Sequence, residues 1–208
     1  MLKKIAKQFR QPAGLGGKII SAIMEKGNSV AYEKLLKKHY SFSGGKILEI
    51  GYGPGYGINL ISENDEKSRI DGIDFSGLMY KKCFKRYKRL VDEGKLNLYL
   101  GDFLTYDFGE NKYDRIFSVN VIYFWEELVN PFKKIHSLLK NDGVFCFYFS
   151  HKTDLDKLKF TKGEVFNKYD IETVTGKLKE AGFKNIKSRF DYGYYVKAER
   201  ENLCPTST

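Results

Sequence analysis

A glycine-rich turn follows the first strongly apolar stretch of the sequence and could hold a nucleotide-like ligand. Residues 46–57 (KILEIGYGPGYG) place one carboxylate, Glu49, in an apolar run that leads into glycines at 51, 53, 55 and 57. Because glycine lacks a Cβ and accepts positive φ, a buried strand that ends in such a turn lets the backbone approach a ligand closely. The next residues, 56–64, predict a helix whose N-terminus would lie beneath that ligand.

The spacing of these glycines excludes two common nucleotide motifs. The third glycine of G-x-G-x-x-G would fall on Tyr56 or Ile58, and no glycine here is followed by the Lys-Ser/Thr of a phosphate-binding loop. The pattern that fits is acidic-x-G-x-G-x-G. It resembles motif I of the class I S-adenosylmethionine-dependent methyltransferases. The resemblance implies that the cofactor site includes Glu49, Gly51, Tyr52, Gly53 and Gly55.

A carboxylate at the end of the second predicted strand, Asp74, is placed to bind a ribose. It lies 19 residues after Gly55, and an acidic residue at about this distance from a glycine turn can accept hydrogen bonds from ribose hydroxyls. Asp74 also matches the G-x-D-x-S position of the methyltransferase family, which adds Phe75 and Ser76 to the implied cofactor site. The alternative role for Asp74 is a helix N-cap, which Ser76 serves better. We expect Asp71 to be structural or exposed.

A second acidic position, Asp102, comes directly after the third predicted strand. In the resemblance, an aspartate at this point accepts a hydrogen bond from the exocyclic amine of adenine while its neighbours stack on the ring. A carboxylate suits that amine, and Phe103 offers an apolar face. The alternative for Asp102 is an ordinary loop carboxylate.

The end of the fourth predicted strand carries the candidates on the substrate side. Ligands bind at the carboxyl ends of strands in open α/β sheets, so we expect Asn120 to contact the cofactor. Asp114, at the start of the same strand, should be structural. The predicted substrate-binding residues are aromatic: Tyr32, Tyr123, Phe124 and Trp125.

A general base is needed only if the methyl acceptor must lose a proton. His151 follows the fifth predicted strand at its carboxyl end, and Tyr123 is a comparable candidate for this catalytic role. A solvated loop position is the alternative for His151. We expect His39 and His136 to be structural or exposed.

Strand-like and helix-like segments alternate after the glycine turn. The pattern predicts helices over 56–64, 76–93, 131–139 and 171–181, with Asp170 as an N-cap. It predicts strands over 47–51, 68–73, 96–100, 113–119, 144–150, 185–190 and 194–199, with a turn at 141–143. Such alternation specifies a parallel sheet covered on both faces. We therefore expect an α/β fold: a Rossmann-like, doubly wound, mostly parallel seven-stranded sheet with an antiparallel C-terminal hairpin.

The first 45 residues predict a helical cap on a single methyltransferase domain of residues 1–208, whose Rossmann-like core spans 46–200. Residues 11–17 predict a glycine-rich turn between two helical pieces, and residues 31–38 are amphipathic. These features give residues 11–17 and Tyr32 either a lid role or a plain packing role. The basic stretch 1–10 predicts a surface or capping helix, with a membrane-surface or nucleic-acid contact as the alternative.

Length and composition fit one soluble globular domain of 208 residues, with 42 % hydrophobic and 30 % charged residues. The longest uncharged apolar run, 143–150, is far shorter than the roughly 20 residues of a membrane helix. Cysteines at 83, 146 and 204 are odd in number and lack metal-ligand spacing, which disfavours a disulfide framework and a metal site and fits a reducing cytoplasm.

The net charge of +10 could steer an acidic substrate or RNA, although the basic residues are spread along the chain. The leading hypothesis is transfer of a methyl group from S-adenosylmethionine to a small molecule, leaving S-adenosylhomocysteine. The alternatives are an RNA methyltransferase and a non-catalytic protein that binds S-adenosylmethionine. The absence of an N-P-P-Y tetrad disfavours methylation of nucleic-acid amino groups. The sequence leaves the acceptor atom and the oligomeric state open.

Overall fold

The protein, described here from a computed structural model, is an α/β structure in which residues 2–38 and 44–201 are described. The strands are β1 Gly45–Ile50, β2 Ser68–Asp74, β3 Leu96–Leu100, β4 Tyr113–Val119, β5 Leu139–Ser150, β6 Lys184–Phe190 and β7 Gly193–Glu199. They form one sheet in the order β3-β2-β1-β4-β5-β7-β6. The first five strands pair in parallel, and β7 runs antiparallel to both β5 and β6. The predicted mostly parallel sheet with its closing hairpin is confirmed.

Helices cover both faces of this sheet. They are α1 Leu2–Arg10, α2 Gly14–Glu33, α3 Tyr56–Asn64, α4 Gly77–Arg86, α5 Lys88–Asp92, α6 Val129–Leu138, α7 Lys152–Lys157 and α8 Ile171–Glu180. Side chains of β5 alternate between the two cores, as a strand requires. Phe145 and Phe147 belong to the core that α6 and α8 cover, whereas Cys146 and Tyr148 belong to the core that α2, α3 and α4 cover.

Helices α4 and α8 begin at the N-cap residues that the sequence predicts. The Asp170 carboxylate accepts a hydrogen bond from the Thr173 N–H at 2.9 Å, and α8 gives way to Gly182 at φ +97°, a conformation that favours glycine. Ser76 caps α4 by accepting from the Met79 N–H at 3.3 Å. Ser76 is therefore the N-cap and leaves Asp74 available for another role.

Two predicted boundaries are wrong. The single helix expected over 76–93 is split at Tyr87, whose φ of −113° and ψ of 26° end α4. The Tyr87 hydroxyl donates to the Gly55 carbonyl oxygen at 2.8 Å, so this break joins the helix to the glycine turn. The turn expected at 141–143 lies inside β5, where the backbone N–H of Asp142 donates to the carbonyl oxygen of Arg200 at 3.1 Å. A shift in the register between β4 and β5 accommodates these extra residues of β5.

The N-terminal helices differ from the expected pattern. Helix α2 begins at Gly14, so the turn predicted over residues 11–17 is limited to residues 11–13. Gly17 is required for close packing, because a Cβ there would lie 2.8 Å from the Pro12 carbonyl carbon. A π-helical turn, Lys34–Lys38, continues α2 and buries Leu35 and Leu36.

The described residues, 2–38 and 44–201, contain no helix both long and apolar enough to cross a membrane. Cys83 and Cys146 are buried, as a core role requires. His39 and Cys204, which the sequence analysis considered, lie outside the described residues.

A buried carboxylate on β2, Asp71, ties this strand to β1, β3 and β4. Its oxygens accept hydrogen bonds from Asn97 Nδ2 at 2.8 Å, from the Tyr113 hydroxyl at 2.8 Å and from the Tyr99 hydroxyl at 3.2 Å, and Lys46 Nζ lies 3.3 Å away. Asp71 is therefore structural, in agreement with the first of its two expected roles.

Replacing Asp71 by alanine should lower the free energy of unfolding by about 3 kcal/mol, because several buried donors and a cation lose their acceptor. Urea unfolding followed by circular dichroism measures the change. The control is Asp92→Ala, which removes only an exposed helix-surface pair with Lys88 and should change stability by less than about 0.5 kcal/mol. Equal losses in the two variants would contradict the structural role of Asp71.

Candidate active site

A cavity of about 750 Å³ opens at the carboxyl ends of the parallel strands. It lies where β1 and β4 are neighbours and the strand order reverses, which is the place where open α/β sheets bind ligands. Residues that end the parallel strands or follow them line the cavity on the side of the sheet, namely Gly51, Gly53, Asp74, Phe75, Asp102, Phe103, Asn120 and Ser150. Five strands therefore contribute to one site.

Gly51, Gly53 and Gly55, which follow β1, all have positive φ, but they are needed for two different reasons. A Cβ at Gly51 would lie 2.7 Å from Val121 Cγ2, and one at Gly55 would lie 2.5 Å from Cys83 Sγ. A Cβ at Gly53, whose φ is +50°, would meet no atom within 4 Å. Gly51 and Gly55 therefore allow the turn to pack, whereas the face of Gly53 is left open to the cavity.

Asp74 fastens the glycine turn to the end of β2. One carboxylate oxygen accepts from the Gly53 N–H at 2.9 Å and the other from the Ser76 N–H at 2.8 Å. Burial raises the pKa of Asp74 to about 6, against the effect of these two N–H groups. Each carboxylate oxygen retains a further acceptor site, so Asp74 can accept from two adjacent hydroxyls of a ligand.

Ser76 lies behind Asp74 and connects it to the N-terminal cap. Its hydroxyl donates to the Pro12 carbonyl oxygen at 2.7 Å, and Gln11 Nε2 donates to the Phe75 carbonyl oxygen at 3.3 Å. The linker between α1 and α2 is thus anchored directly beside the ribose-binding candidate.

Glu49 is fully buried beneath the turn. Its Oε1 accepts from the Tyr32 hydroxyl at 2.8 Å, whereas Oε2 has no hydrogen-bond partner of good geometry among the described residues. A Cβ at Gly57 would lie 2.7 Å from Oε1, so the first turn of α3 packs directly on this carboxyl group. Burial raises the pKa of Glu49 to about 8, the charge of Asp74 acts in the same direction, and the Tyr32 hydroxyl opposes it.

The loop after β3 forms another wall of the cavity. Asp102 is exposed there, and its Oδ1 accepts from the Leu104 N–H at 2.9 Å. Phe103 is buried against Trp125, with ring centroids 6.1 Å apart. Lys134 on α6 holds the loop by donating to the carbonyl oxygens of Leu104 at 3.0 Å and Tyr106 at 2.7 Å.

A polar network joins the ends of β4 and β5 to α2. Asn120 adopts a positive φ of 57°, which is uncommon for a residue with a side chain. Its Oδ1 accepts from the Tyr123 hydroxyl at 2.8 Å and from Ser150 Oγ at 3.3 Å, while its Nδ2 donates to Asn28 Oδ1 at 2.9 Å. Burial raises the pKa of Tyr123, so its hydroxyl keeps its proton at neutral pH and acts as a hydrogen-bond donor.

Aromatic side chains surround the remaining side of the cavity. Tyr123, Phe124 and Trp125 line it from the 3₁₀ turn after β4. Phe9 of α1 stacks on Phe160, with ring centroids 4.4 Å apart, and thereby closes α1 over the opposite wall. The predicted substrate residue Tyr32 also lines the cavity from α2.

Five of the predicted site residues are absent from the cavity lining. Glu49 is fully buried beneath the glycine turn. The Tyr52 ring is buried against Gly72, Gly55 faces α4, and Ser76 is covered by Pro12. His151 caps α7 through Nδ1 and the Thr153 N–H at 3.3 Å, and its ring lies beside Phe190 and Tyr194.

Residues 152–166 form a further wall of the cavity, which no motif in the sequence indicates. This segment forms α7 and a 3₁₀ turn, Lys159–Lys162, and contributes Leu155, Leu158, Phe160, Thr161 and Phe166 to the lining. Its only signal in the sequence is a set of isolated apolar residues in a charged stretch.

The buried carboxyl of Glu49 predicts a pH dependence of stability. Its pKa rises from 4.5 to about 8 on folding, so the folded protein binds a proton that the unfolded chain releases, and stability falls as pH rises towards 8. Asp74 acts in the same direction only up to about pH 6. Urea unfolding of the ligand-free protein between pH 6 and 8 should show this fall, and Glu49→Gln should reduce it. The same slope in both proteins would contradict a neutral Glu49.

Comparison with known proteins finds methyltransferases among the relatives of this chain. The model of a methyltransferase domain matches residues 47–143. An uncharacterized methyltransferase of Bacillus subtilis, YdaC, is 32 % identical over 100 residues, which cover 48 % of this chain and 53 % of that protein. The chain thus spans about half the length of this curated relative.

Two solved structures share the fold at low sequence identity. An O-methyltransferase family protein from Burkholderia thailandensis has a TM-score of 0.74 at 10 % identity, covering 88 % of this chain and 58 % of that one. Phosphoethanolamine N-methyltransferase 2 of Haemonchus contortus, solved with phosphomonomethylethanolamine and S-adenosylhomocysteine, has a TM-score of 0.65 at 15 % identity, covering 84 % and 52 %. The resemblance drawn from motif I is confirmed: residues 47–143 match a methyltransferase domain, and the chain has the fold of class I S-adenosylmethionine-dependent methyltransferases.

Proposed function

We propose that the protein binds S-adenosylmethionine in this cavity and transfers its methyl group to a small molecule, leaving S-adenosylhomocysteine. The observation that carries the proposal is the arrangement of Asp74 and Gly53 at the carboxyl ends of β2 and β1. The carboxylate holds the Gly53 N–H and keeps acceptor sites for a ribose, while the open face of Gly53 leaves room for the ligand. The cavity volume of about 750 Å³ is typical of small-molecule sites.

The residues around the cavity fit the parts of the cofactor. Asp74 would accept from the ribose hydroxyls, Asp102 from the adenine amine, and Phe103 would present an apolar face to the ring. Glu49 leaves one buried oxygen without a hydrogen-bond partner among the described residues beside the glycine turn, and this oxygen would accept a hydrogen bond from a bound donor group. When bound, the cofactor supplies an electrophilic methyl group on a sulfonium centre.

Aromatic walls flank the cavity, which favours a small molecule over RNA. Helix α1 closes over the cavity through the stacking of Phe9 on Phe160, and Phe124 and Phe166 pack together with centroids 5.1 Å apart. Such walls exclude water and position the acceptor in line with the methyl group, and both effects accelerate transfer. Tyr123 and Asn120 would orient a polar group of the acceptor, since both line the same cavity.

The identity of the proton acceptor depends on the methylated atom. Tyr123 retains its proton and donates it in a hydrogen bond to Asn120, so it would donate to the acceptor only in exchange for that bond, unless the reaction itself removes the proton. His151 would have to leave its position as the α7 cap to reach the cavity.

We assign the N-terminal residues 1–45 to a helical cap and residues 46–200 to the catalytic core of one domain.

Turnover experiments separate this proposal from its alternatives. Metabolite and RNA fractions are incubated with labelled methyl donor, and label transfer and S-adenosylhomocysteine are measured together. Label in a metabolite supports the proposal. Label in RNA, with binding that weakens steeply with salt, would favour an RNA methyltransferase, and cofactor binding without any turnover would favour a non-catalytic protein.

Replacing Asp74 by alanine should weaken S-adenosylmethionine binding at least about tenfold, because charge-assisted hydrogen bonds to the ribose are each worth roughly 1.5–3 kcal/mol. Isothermal titration calorimetry measures the affinity. The control is Asp65→Ala. Like Asp74, the Asp65 carboxylate accepts hydrogen bonds from two backbone N–H groups, those of Gly44 at 2.7 Å and Lys67 at 3.1 Å. Unchanged affinity in a folded Asp74 variant, or equal loss in the control, would refute the ribose assignment.

Deleting residues 1–10 should reduce turnover more than it reduces stability. Helix α1 contacts α2 and the 3₁₀ turn Lys159–Lys162 but contributes only Ala6 to the buried apolar residues, and its loss opens the acceptor side to water. The thermal midpoint and the rate of label transfer from the methyl donor are compared for the deleted and full-length proteins. Unfolding of the deleted protein would make α1 a core element, and full activity would remove its lid role.

A further inference from the structure

Helix α2 has its large aliphatic side chains on the outside. Leu15, Ile19, Ile23 and Val30 are 79 %, 66 %, 53 % and 59 % exposed. The buried residues of the same helix are Gly17, Ser21, Ala31 and Tyr32. A helix on the surface of a soluble domain normally places these two sets the other way round.

The four exposed residues, which we call the α2 stripe, lie on one face of the helix, with Lys26 between Ile23 and Val30. At 100° per residue they fall within an arc of roughly 80°, and they extend for about 22 Å along the helix. Exposed apolar side chains that occur singly need no explanation, but a contiguous patch of them marks a site of interaction.

Positive charge accompanies the α2 stripe. Helices α1 and α2 carry six cations and two anions; the cations are Lys3, Lys4, Lys7, Arg10, Lys18 and Lys26. Both anions already have partners, since Glu25 pairs with Arg86 at 2.6 Å and Glu33 accepts from the Tyr56 hydroxyl at 2.8 Å. Lys26 lies within the arc of the stripe, and Lys18 lies about 60° outside it.

We propose that α1 and α2 dock on the surface of an anionic phospholipid bilayer. The α2 stripe would enter the boundary between headgroups and acyl chains, and the flanking cations would meet the lipid phosphates, as in helices that lie in the plane of a membrane. A second copy of the chain fits this face less well, because symmetric pairing would bring two cationic surfaces together. A nucleic acid fits the cations but offers nothing to a row of exposed Leu, Ile and Val side chains.

This docking goes beyond the proposed methyl transfer and does not depend on it. It does have a geometric relation to the cavity, because Ile23 belongs to the α2 stripe and also lines the cavity. The bound membrane would therefore lie next to the acceptor side of the site.

Vesicle flotation with the full-length protein tests the proposal without any cofactor. The wild type should float with vesicles of phosphatidylcholine containing about 30 % phosphatidylglycerol and stay behind with pure phosphatidylcholine. Leu15→Gln combined with Ile19→Gln should lower the partition constant at least tenfold. Lys18→Gln combined with Lys26→Gln should lower it at least threefold and reduce its dependence on salt between about 0.05 and 0.5 M.

The matched control is Leu100→Gln combined with Phe190→Gln, which changes two side chains that are also exposed but lie on β3 and β6. It should leave the partition constant unchanged, and circular dichroism verifies that every variant is folded. Absence of wild-type binding, or an equal loss in the control, would overturn the proposal. So would a dimer in sedimentation velocity that dissociates in the Leu15/Ile19 variant, or RNA binding that depends on the two lysines while vesicle binding is absent.

Discussion

The carboxylate of Asp74 is the contact on which the rest of the site depends. It binds the N–H of Gly53 at the end of β1 and the N–H of Ser76 at the start of α4, so it sets the distance between two neighbouring βα turns. The hydroxyl of Ser76 extends the same network to Pro12 in the N-terminal cap. One buried carboxylate therefore fixes the glycine turn, a helix start and the cap relative to one another.

The two carboxyl groups nearest to the turn differ in their surroundings, and the difference suits different tasks. Asp74 is held by two N–H groups and lines the cavity, whereas Glu49 is enclosed between Tyr32 and the first turn of α3. Burial raises both pKa values, to about 6 and about 8, so Asp74 is the group that is ionised at neutral pH. An ionised Asp74 is the stronger acceptor for ligand hydroxyls, and a protonated Glu49 can remain buried at little electrostatic cost.

Local spacing in the sequence predicted the parts of the site that lie close together in the chain. The glycine turn, Asp74 and the Ser76 cap follow from patterns a few residues long, and the sheet follows from the alternation of strands and helices. The break at Tyr87 was missed because it depends on the contact with Gly55, 32 residues away. The wall formed by Phe160 was missed because its partner, Phe9, is about 150 residues distant and the segment has no periodic apolar pattern.

The central claim is that the open face of Gly53 is where the cofactor meets the backbone, and titration calorimetry with S-adenosylmethionine tests it most directly. Gly53→Val is compared with Gly94→Val, since both glycines have positive φ and open space around a Cβ, but only Gly53 lines the cavity. Both variants bear similar backbone strain. The account predicts that Gly53→Val abolishes binding while Gly94→Val binds like the wild type; wild-type affinity in a folded Gly53→Val protein would contradict it.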